Sequence, residues 1–219
     1  EYQIPGILQT QVNEEEAYSF ATALRSLLRQ NPDIMMIGEI RDDETARIAV
    51  QAAATGHLVL STLHTNSAAG AVSRLLNMGV SGDDLANAAN LFMAQRLVRR
   101  LCDACKVATV PTDADRTLID TVLKSLSPAS GITPPPIKSI FAAQSCPQCN
   151  GTGFSGQVAL TETLPVTRPI QELIARNALT RDIEDQAVAE GMVTLAQDGI
   201  LSVLEGKTTL DEVKRVTEI

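Results

Sequence analysis

The feature that most constrains the fold is the stretch 29–66, in which two short apolar runs are each followed by polar residues. The first run, Ile34–Ile37, is bounded by a proline and a glycine and leads to Glu39; the second covers residues 58–60 and leads to His64. Such runs are typical of strands buried on both faces of a parallel sheet. Ligands of open α/β sheets bind beyond the carboxyl ends of the strands, so both runs direct polar residues towards one candidate site.

Two motifs span this region. The segment from Leu24 to Asp42 ends in Ile-Gly-Glu-Ile-Arg-Asp, and the segment from Thr55 to Asn66 begins with Thr-Gly-His and ends with Leu-His-Thr-Asn. They resemble the Walker B region and the His box of the secretion ATPases, which are hexameric motors of type II secretion and type IV pilus assembly. The resemblance extends to the C-terminus and implies an α/β fold with a RecA-like P-loop ATPase core, ATP and Mg²⁺ as cofactors, and a homo-hexamer.

The phosphate-binding loop of that family is missing from these residues. No GxxxxGK[ST] occurs among the 219 residues, and Glu1-Tyr2-Gln3 matches the end of the family's Asp box. A P-loop site needs that loop's backbone N–H groups and lysine to hold the phosphates. We therefore expect an incomplete core that is active as an ATPase only in the full-length protein, with this chain alone inactive and mostly monomeric.

Glu39 is the strongest candidate for the chemistry. An acid at the end of an apolar strand can hold the hydration shell of Mg²⁺ or orient the attacking water, and the alternative is a cap on a nearby helix. His64, beyond the second run, is the candidate for sensing the γ-phosphate. His57, seven residues earlier, falls on the opposite face of a regular strand and is structural or coupling in the alternative interpretation. The candidate catalytic residues are Glu39, His64 and Arg41, and the candidate cofactor-binding residues are Asp42, His57 and Thr62.

Two CxxC pairs, Cys102-Asp-Ala-Cys105 and Cys146-Pro-Gln-Cys149, indicate a metal site. Zinc takes four thiolates in a tetrahedron, and each CxxC turn supplies two of them. Thioredoxin-like redox pairs and disulfides are the alternatives, but a redox CxxC opens a helix after a strand, whereas we predict a helix before Cys102. The resemblance adds that many assembly ATPases carry such a module and retraction motors generally do not. Four cysteine ligands leave no open position, so the zinc would be structural.

Hydrophobic periodicity predicts the remaining elements. Asn13 with Glu16 has the pattern of a helix start, and that helix is expected to reach residue 30. A long helix is predicted from Asp83 or Asp84 to Leu101, followed by a strand at 156–163 and helices at 168–175, 180–190, 194–205 and 209–216. The resulting division is 1–101 for the C-terminal part of the RecA-like core, 102–156 for the tetracysteine module and 157–219 for a helical subdomain.

Several arginines have two interpretations. Arg96, Arg99 and Arg100 would end the long predicted helix, where the helix dipole favours cations; the alternative is contact with a neighbouring subunit. Arg25 and Arg29 lie four residues apart and are either surface residues or, from the resemblance, close to the phosphates or a subunit interface.

Composition limits the possible partners. A net charge of −8 argues against nucleic-acid binding. No apolar run has transmembrane length and no signal peptide is visible, which together with the CxxC pairs favours a reducing cytoplasmic setting. The resemblance implies an inner-membrane platform protein and cytoplasmic assembly proteins as partners, with the motor peripheral at the inner membrane. The alternatives are a non-catalytic, zinc-stabilised interaction module that retains the motor fold, and a retraction motor.

Overall fold

The structure is a computed structural model that describes residues 3–13, 18–217 and 219. Glu1, Tyr2 and Glu16, to which two of the sequence predictions refer, lie outside the described residues. The chain divides into two compact units, each assembled from three separate stretches. The three-part division expected from the sequence stays a prediction.

The elements follow one another with short connections through most of the chain. The helices are α1 (Phe20–Leu28), α2 (Asp43–Ala54), α3 (Ala68–Asn77), α4 (Gly82–Ala88), α5 (Asp113–Lys124), α6 (Arg168–Ala175), α7 (Thr180–Ala189), α8 (Leu195–Leu204) and α9 (Leu210–Val216). The strands are β1 (Ile34–Ile37), β2 (Leu58–Ser61), β3 (Leu91–Leu101), β4 (Val107–Thr109), β5 (Ile140–Ala142) and β6 (Phe154–Pro165). Short 3-10 helices occur at Pro128–Ser130 and Pro147–Cys149.

The first unit comprises the described parts of residues 1–65, 71–90 and 166–179. Its strands β1 and β2 pair in parallel, with Ile34 opposite Leu58 and Ile37 opposite Ser61. Small side chains allow its helices to pack closely: Ala46 in α2 is fully buried. Gly56 follows the end of α2 with a φ of +103°, a backbone conformation that glycine adopts at little cost.

Strand β1 is buried on one face only. Met35 and Ile37 are buried, whereas Ile34 and Met36 are 62% and 72% exposed. The prediction of strands at these positions is confirmed, but the expectation that both faces are buried is wrong for the described residues. Burial alternates along β1 with the period of two that its side chains impose, whereas the residues of β2 are half-buried or exposed.

The second unit comprises the described parts of residues 66–70, 91–165 and 180–219. Its centre is a long antiparallel ribbon in which β3 pairs with β6, from Leu91 opposite Pro165 to Leu101 opposite Phe154, with a shift in register between Arg99 and Leu101. Helices α8 and α9 pack against this ribbon, and α5 packs on α8. Strands β4 and β5 form a second, shorter antiparallel pair.

The long helix predicted up to Leu101 is wrong. Helix α4 ends at Ala88, Ala89 is extended, and β3 follows from Leu91. Apolar residues at 91, 92, 94, 97 and 98 fit a helical stripe, but they also supply the buried residues of one strand face, namely Phe92, Ala94 and Val98. Pairing with a strand more than 50 residues away decides between the two periods, and that pairing has no local signal. Arg96, Arg99 and Arg100 therefore do not lie at a helix C-terminus.

The helix termini follow from capping residues, and one helix start differs from expectation. Helix α1 begins at Phe20, because Ser19 caps it by accepting a hydrogen bond from the backbone N–H of Thr22; Asn13 instead forms an isolated β-bridge with Tyr18. The strand near 156–163 and the four C-terminal helices are confirmed within a few residues. Among the described residues, no helix is both long and apolar enough to cross a membrane.

Candidate functional site

The parallel register of β1 and β2 brings the two polar segments that follow them together. Glu39 follows β1, and its Oε2 lies 3.1 Å from Nε2 of His64, which follows β2. The guanidinium of Arg41 donates a hydrogen bond of 2.5 Å to the other carboxylate oxygen of Glu39. The three predicted catalytic residues therefore meet in one cluster within the first unit.

Backbone contacts fix the two segments to each other. The hydroxyl of Thr62 donates to the carbonyl oxygen of Gly38 at 2.6 Å, and the N–H of Ile40 donates to the carbonyl oxygen of Thr62 at 3.0 Å. The peptide on each side of Glu39 is thus bound to Thr62, one residue beyond β2. Thr62 therefore joins the two strand ends.

Charge and exposure define what the cluster can do. The hydrogen bond from Arg41 lowers the pKa of Glu39 below its ordinary value of 4.5, and His64 lowers it further, although burial opposes both effects. The side chain of Glu39 is 22% exposed, whereas those of Arg41 and His64 are 61% and 90% exposed. An ionised carboxylate between two nitrogen donors can orient a water molecule, and the exposed donors can approach a phosphate.

Asp42 and His57 lie apart from this cluster. Both carboxylate oxygens of Asp42 accept hydrogen bonds from Thr45, one from its backbone N–H at 2.7 Å and one from its hydroxyl at 2.9 Å, so Asp42 caps the N-terminus of α2. His57 lies at the amino end of β2, where its Nδ1 is 2.9 Å from the carbonyl oxygen of Ala52 and 3.2 Å from the hydroxyl of Thr55. A four-residue strand separates His57 from the end at which His64 lies.

The four cysteines converge in the second unit. Their sulfur atoms all lie within 4.8 Å of one another, with Sγ–Sγ distances of 3.9 Å for Cys102–Cys146, 3.8 Å for Cys105–Cys149 and 3.6 Å for Cys146–Cys149. Cys102 follows strand β3, so the expectation that it follows a helix is wrong. The chain after Cys105 enters β4 rather than a helix, so the strand–CxxC–helix arrangement of redox proteins is still absent. This cluster can hold a metal ion.

The pKa values of two thiols in the cluster shift in opposite directions. Burial raises the pKa of Cys105 to about 12, and the neighbouring cysteines add to the rise. Burial acts on Cys149 in the same direction, but backbone hydrogen bonds with Cys146 and Gly153 outweigh it and lower the pKa of Cys149 to about 6. Four crowded thiols cannot all ionise without a counter-charge, which a cation at their centre would supply.

Gly153 closes the turn around the second cysteine pair. A Cβ at this position would lie 2.7 Å from Cβ of Ala143 and 3.0 Å from the carbonyl oxygen of Gln144, and the φ of Gly153 is +77°. Its carbonyl oxygen accepts a hydrogen bond of 3.0 Å from the N–H of Cys102. The backbone of the second CxxC turn is therefore held directly against the first.

Two buried acids form structural contacts in the second unit. Glu162 is 3% exposed and Glu212 is 2% exposed, yet both are ionisable. Glu212 accepts hydrogen bonds from the side chains of Arg99 and Arg215. The available signal for Glu162 is a single acid on the buried face of β6, between Leu160 and Leu164.

Two of the arginines with open interpretations also have partners: Arg25 pairs with Glu44 at 2.5 Å, and Arg96 contacts Asn66.

Comparison with known proteins agrees with the motifs. The family described as "Type II/IV secretion system protein" matches residues 1–215. The chain is 45% identical over 215 residues to the type IV pilus assembly ATPase PilB of Myxococcus xanthus, covering 97% of this chain and 36% of that protein. It is 43% identical over 217 residues to the type II secretion system protein HxcR of Pseudomonas aeruginosa, covering 99% and 40%.

Solved structures show the same fold. The pilus retraction motor PilT with bound ADP matches with a TM-score of 0.61 at 24% identity, over 92% of this chain and 44% of that one. The ATPase DotB of Legionella pneumophila matches with a TM-score of 0.56 at 22% identity, over 90% and 42%. These matches confirm the predicted α/β, RecA-like fold. The chain spans about two fifths of the curated relatives and solved structures described here.

Proposed function

Since the chain belongs to the type II/IV secretion system protein family, we propose that it forms the part of an ATP-hydrolysing motor that positions the attacking water. The motor would drive type II secretion or type IV pilus assembly, the processes for which its relatives HxcR and PilB are named. The observation that carries this proposal is the cluster of Glu39, Arg41 and His64 at the carboxyl ends of two parallel strands.

Each residue of the cluster has a distinct proposed role. Bound Mg²⁺ would neutralise charge that develops on the phosphates. Glu39 is ionised and holds either the attacking water or a water of the metal shell. Arg41 fixes one oxygen of that carboxylate, and His64, which contacts the other, is exposed enough to reach a γ-phosphate.

The proposed cofactor-binding residues act less directly. Thr62 sets the spacing of the strand ends through its bond to the carbonyl oxygen of Gly38. Asp42 supports the site by capping the start of α2, next to Arg41. His57 supports it by holding the connection between α2 and β2.

The cysteine cluster fits one structural zinc ion. With Zn–S bonds of about 2.3 Å, the edges of a regular tetrahedron are about 3.8 Å long. Three of the Sγ–Sγ distances, 3.6, 3.8 and 3.9 Å, lie close to that value. Cys102, Cys105, Cys146 and Cys149 would be the ligands, and elemental analysis of the reduced protein is expected to give about one zinc per chain. Absence of metal together with a disulfide inside either CxxC pair would reject this assignment.

The assembly is part of the same proposal. We expect a homo-hexamer that engages an inner-membrane platform protein and cytoplasmic assembly proteins, so that a cytoplasmic motor is peripheral to the inner membrane. A non-catalytic, zinc-stabilised interaction module is the alternative. It predicts a stable fold and partner binding with no loss of function when the Glu39 cluster is altered.

Substitution of Glu39 separates these possibilities. In the motor that contains this chain, Glu39→Gln preserves the shape of the side chain and removes the charge that acts on water or metal. Nucleotide binding should remain, and ATP turnover should fall by about a hundredfold or more, the usual effect of removing a positioned acid or base.

Glu44→Gln is the matched control, because Glu44 is an exposed carboxylate of the same unit that also pairs with an arginine. Its turnover should stay close to that of the unmodified motor. Glu39→Gln turnover within a few-fold of the unmodified motor would contradict the catalytic assignment.

A further inference from the structure

Glu162 makes contacts that packing alone does not require. Its side chain is buried, and each of its oxygens accepts one backbone hydrogen bond: Oε1 from the N–H of Ala68 at 2.7 Å and Oε2 from the N–H of Leu195 at 3.2 Å. Ala68 and Leu195 are the first residues of α3 and α8. One carboxylate therefore joins the N-termini of two helices that are distant in sequence.

The two contacts are favourable for a common reason. The first N–H groups of a helix have no partner within the helix, and the N-terminal end carries a partial positive charge. Among the described residues, no lysine or arginine forms an ion pair with Glu162, so these backbone groups compensate its burial. Leu160 and Leu164, on the same face of β6, satisfy packing without a charge. A buried carboxylate here costs free energy unless both bonds form.

A second charged side chain of the same ribbon holds the same segment. Nη2 of Arg96, on β3, lies 3.2 Å from Oδ1 of Asn66 and 3.4 Å from its carbonyl oxygen. Asn66 and Ala68 are two residues apart, and they immediately follow His64 and Thr65 in the chain. Both strands of the ribbon therefore hold the backbone directly after the residue that contacts Glu39.

We infer that Glu162 and Arg96 are positioning residues for His64. By holding residues 66–68 they restrict where the chain can place the imidazole, and the second oxygen of Glu162 makes that restriction depend on α8. The inference deepens the proposed function, on which it rests for its effect on ATP hydrolysis. The restriction of His64 itself is a property of the chain that can be measured without nucleotide.

Histidine ring resonances provide the direct measurement. The chain contains two histidines, so the nuclear magnetic resonance spectrum of the rings holds one signal set for His64 and one for His57. Glu162→Gln keeps the shape of the side chain but places an N–H₂ group against one of the two helix N–H groups. We expect the His64 signals to shift, the His57 signals to stay, and the amides of Ala68 and Leu195 to exchange about ten- to a hundredfold faster, as for a lost hydrogen bond to a charged group.

Asp198→Asn is the matched control. Asp198 lies on α8, and its Oδ2 accepts a hydrogen bond of 2.8 Å from the N–H of Thr161, the neighbour of Glu162. This variant weakens the link between α8 and β6 without removing the contact to Ala68. It should speed exchange at Thr161 and leave the His64 signals closer to the unmodified chain than Glu162→Gln does. Unchanged His64 signals in Glu162→Gln, with faster exchange at Ala68 and Leu195, would reduce Glu162 to a helix cap and overturn the inference.

Kinetics of the motor that contains the chain give the functional test. Glu162→Gln should lower kcat about tenfold while KM for ATP stays within about twofold, because a misplaced His64 affects the reacting phosphate rather than general nucleotide affinity. An equal rise in KM with unchanged kcat would contradict a positioning role. If the unmodified motor hydrolyses no ATP, the proposed function fails, and the ring resonances still decide whether Glu162 positions His64.

Discussion

Removal of metal from the cysteine cluster should destabilise the second unit by an amount that the chain connectivity sets. Each cross-cluster pair, Cys102–Cys146 and Cys105–Cys149, joins residues that are 44 positions apart. Closing a loop of that length in the unfolded chain costs about 4 kcal/mol on the chain-entropy relation used for cross-links. Metal bound by all four sulfurs holds the loop closed, so we expect its removal to lower the free energy of unfolding by at least about 4 kcal/mol.

The assay is urea unfolding of the reduced protein, followed by circular dichroism with and without a zinc chelator. Cys105→Ser with Cys149→Ser serves as the control, since this variant lacks half of the ligands and should show no further loss on chelation. Re-addition of zinc to the unmodified chain should restore its midpoint. A change below about 1 kcal/mol on chelation, well under the loop-closure value, would refute the view that one metal ion holds this segment together.

The remaining predictions concern one buried acid and the two histidines. Hydrogen bonds from Arg215 and Arg99 lower the pKa of Glu212 from 4.5 to about 2, so its stabilisation of about 3 kcal/mol is present above pH 4.5 and is lost as the pH falls towards 2. Glu212→Gln should lower stability at pH 7 and flatten this acid dependence in urea unfolding at several pH values; an unchanged acid profile would contradict the assignment. His64→Ala should slow ATP hydrolysis in the motor more than His57→Ala does, and hydrolysis assays showing the reverse order would exchange their proposed roles.

The sequence predicted well those parts of the structure that local chemistry determines. Short apolar runs before Glu39 and His64 correctly indicated parallel strands, because their ends carry turn residues and their order fits an α/β sheet. The paired CxxC spacing brought four sulfurs together as expected, since each turn fixes two of them through its own backbone. The C-terminal helices were also predictable from capping residues such as Thr194, which forms a capping box with Gln197.

Other parts depend on partners far away in the chain. Residues 91–101 fit a helix as well as a strand until β6 is present to pair with them. The exposure of one face of β1 depends on what covers the sheet. All four residues of β1 are apolar, so its own sequence does not show which face is exposed. Asp42 was predicted to bind cofactor because it is an acid beside Arg41. In the structure its carboxylate accepts hydrogen bonds from Thr45 at the start of α2.

The site shows the same division. The cluster of Glu39 with His64 was predictable from strand ends, whereas the contacts of Glu162 join three segments that no local pattern connects. A single acid in an apolar strand face signals that a buried partner exists. It does not identify that partner, because the two N–H groups belong to helices more than 30 residues away in either direction along the chain.

The interleaved composition of the two units determines the order in which they can fold during synthesis. The first unit needs residues 166–179, in which Ile170 and Ile174 are fully buried. These residues are separated from Asn90 by the whole segment that contains β3 to β6. At 5–20 residues per second, the ribosome delivers this helix roughly 4 to 15 seconds after residue 90. The second unit likewise needs residues 180–219. Strands β1 and β2 are therefore made well before the residues that complete their unit, and the first unit cannot finish packing until residues 166–179 have emerged.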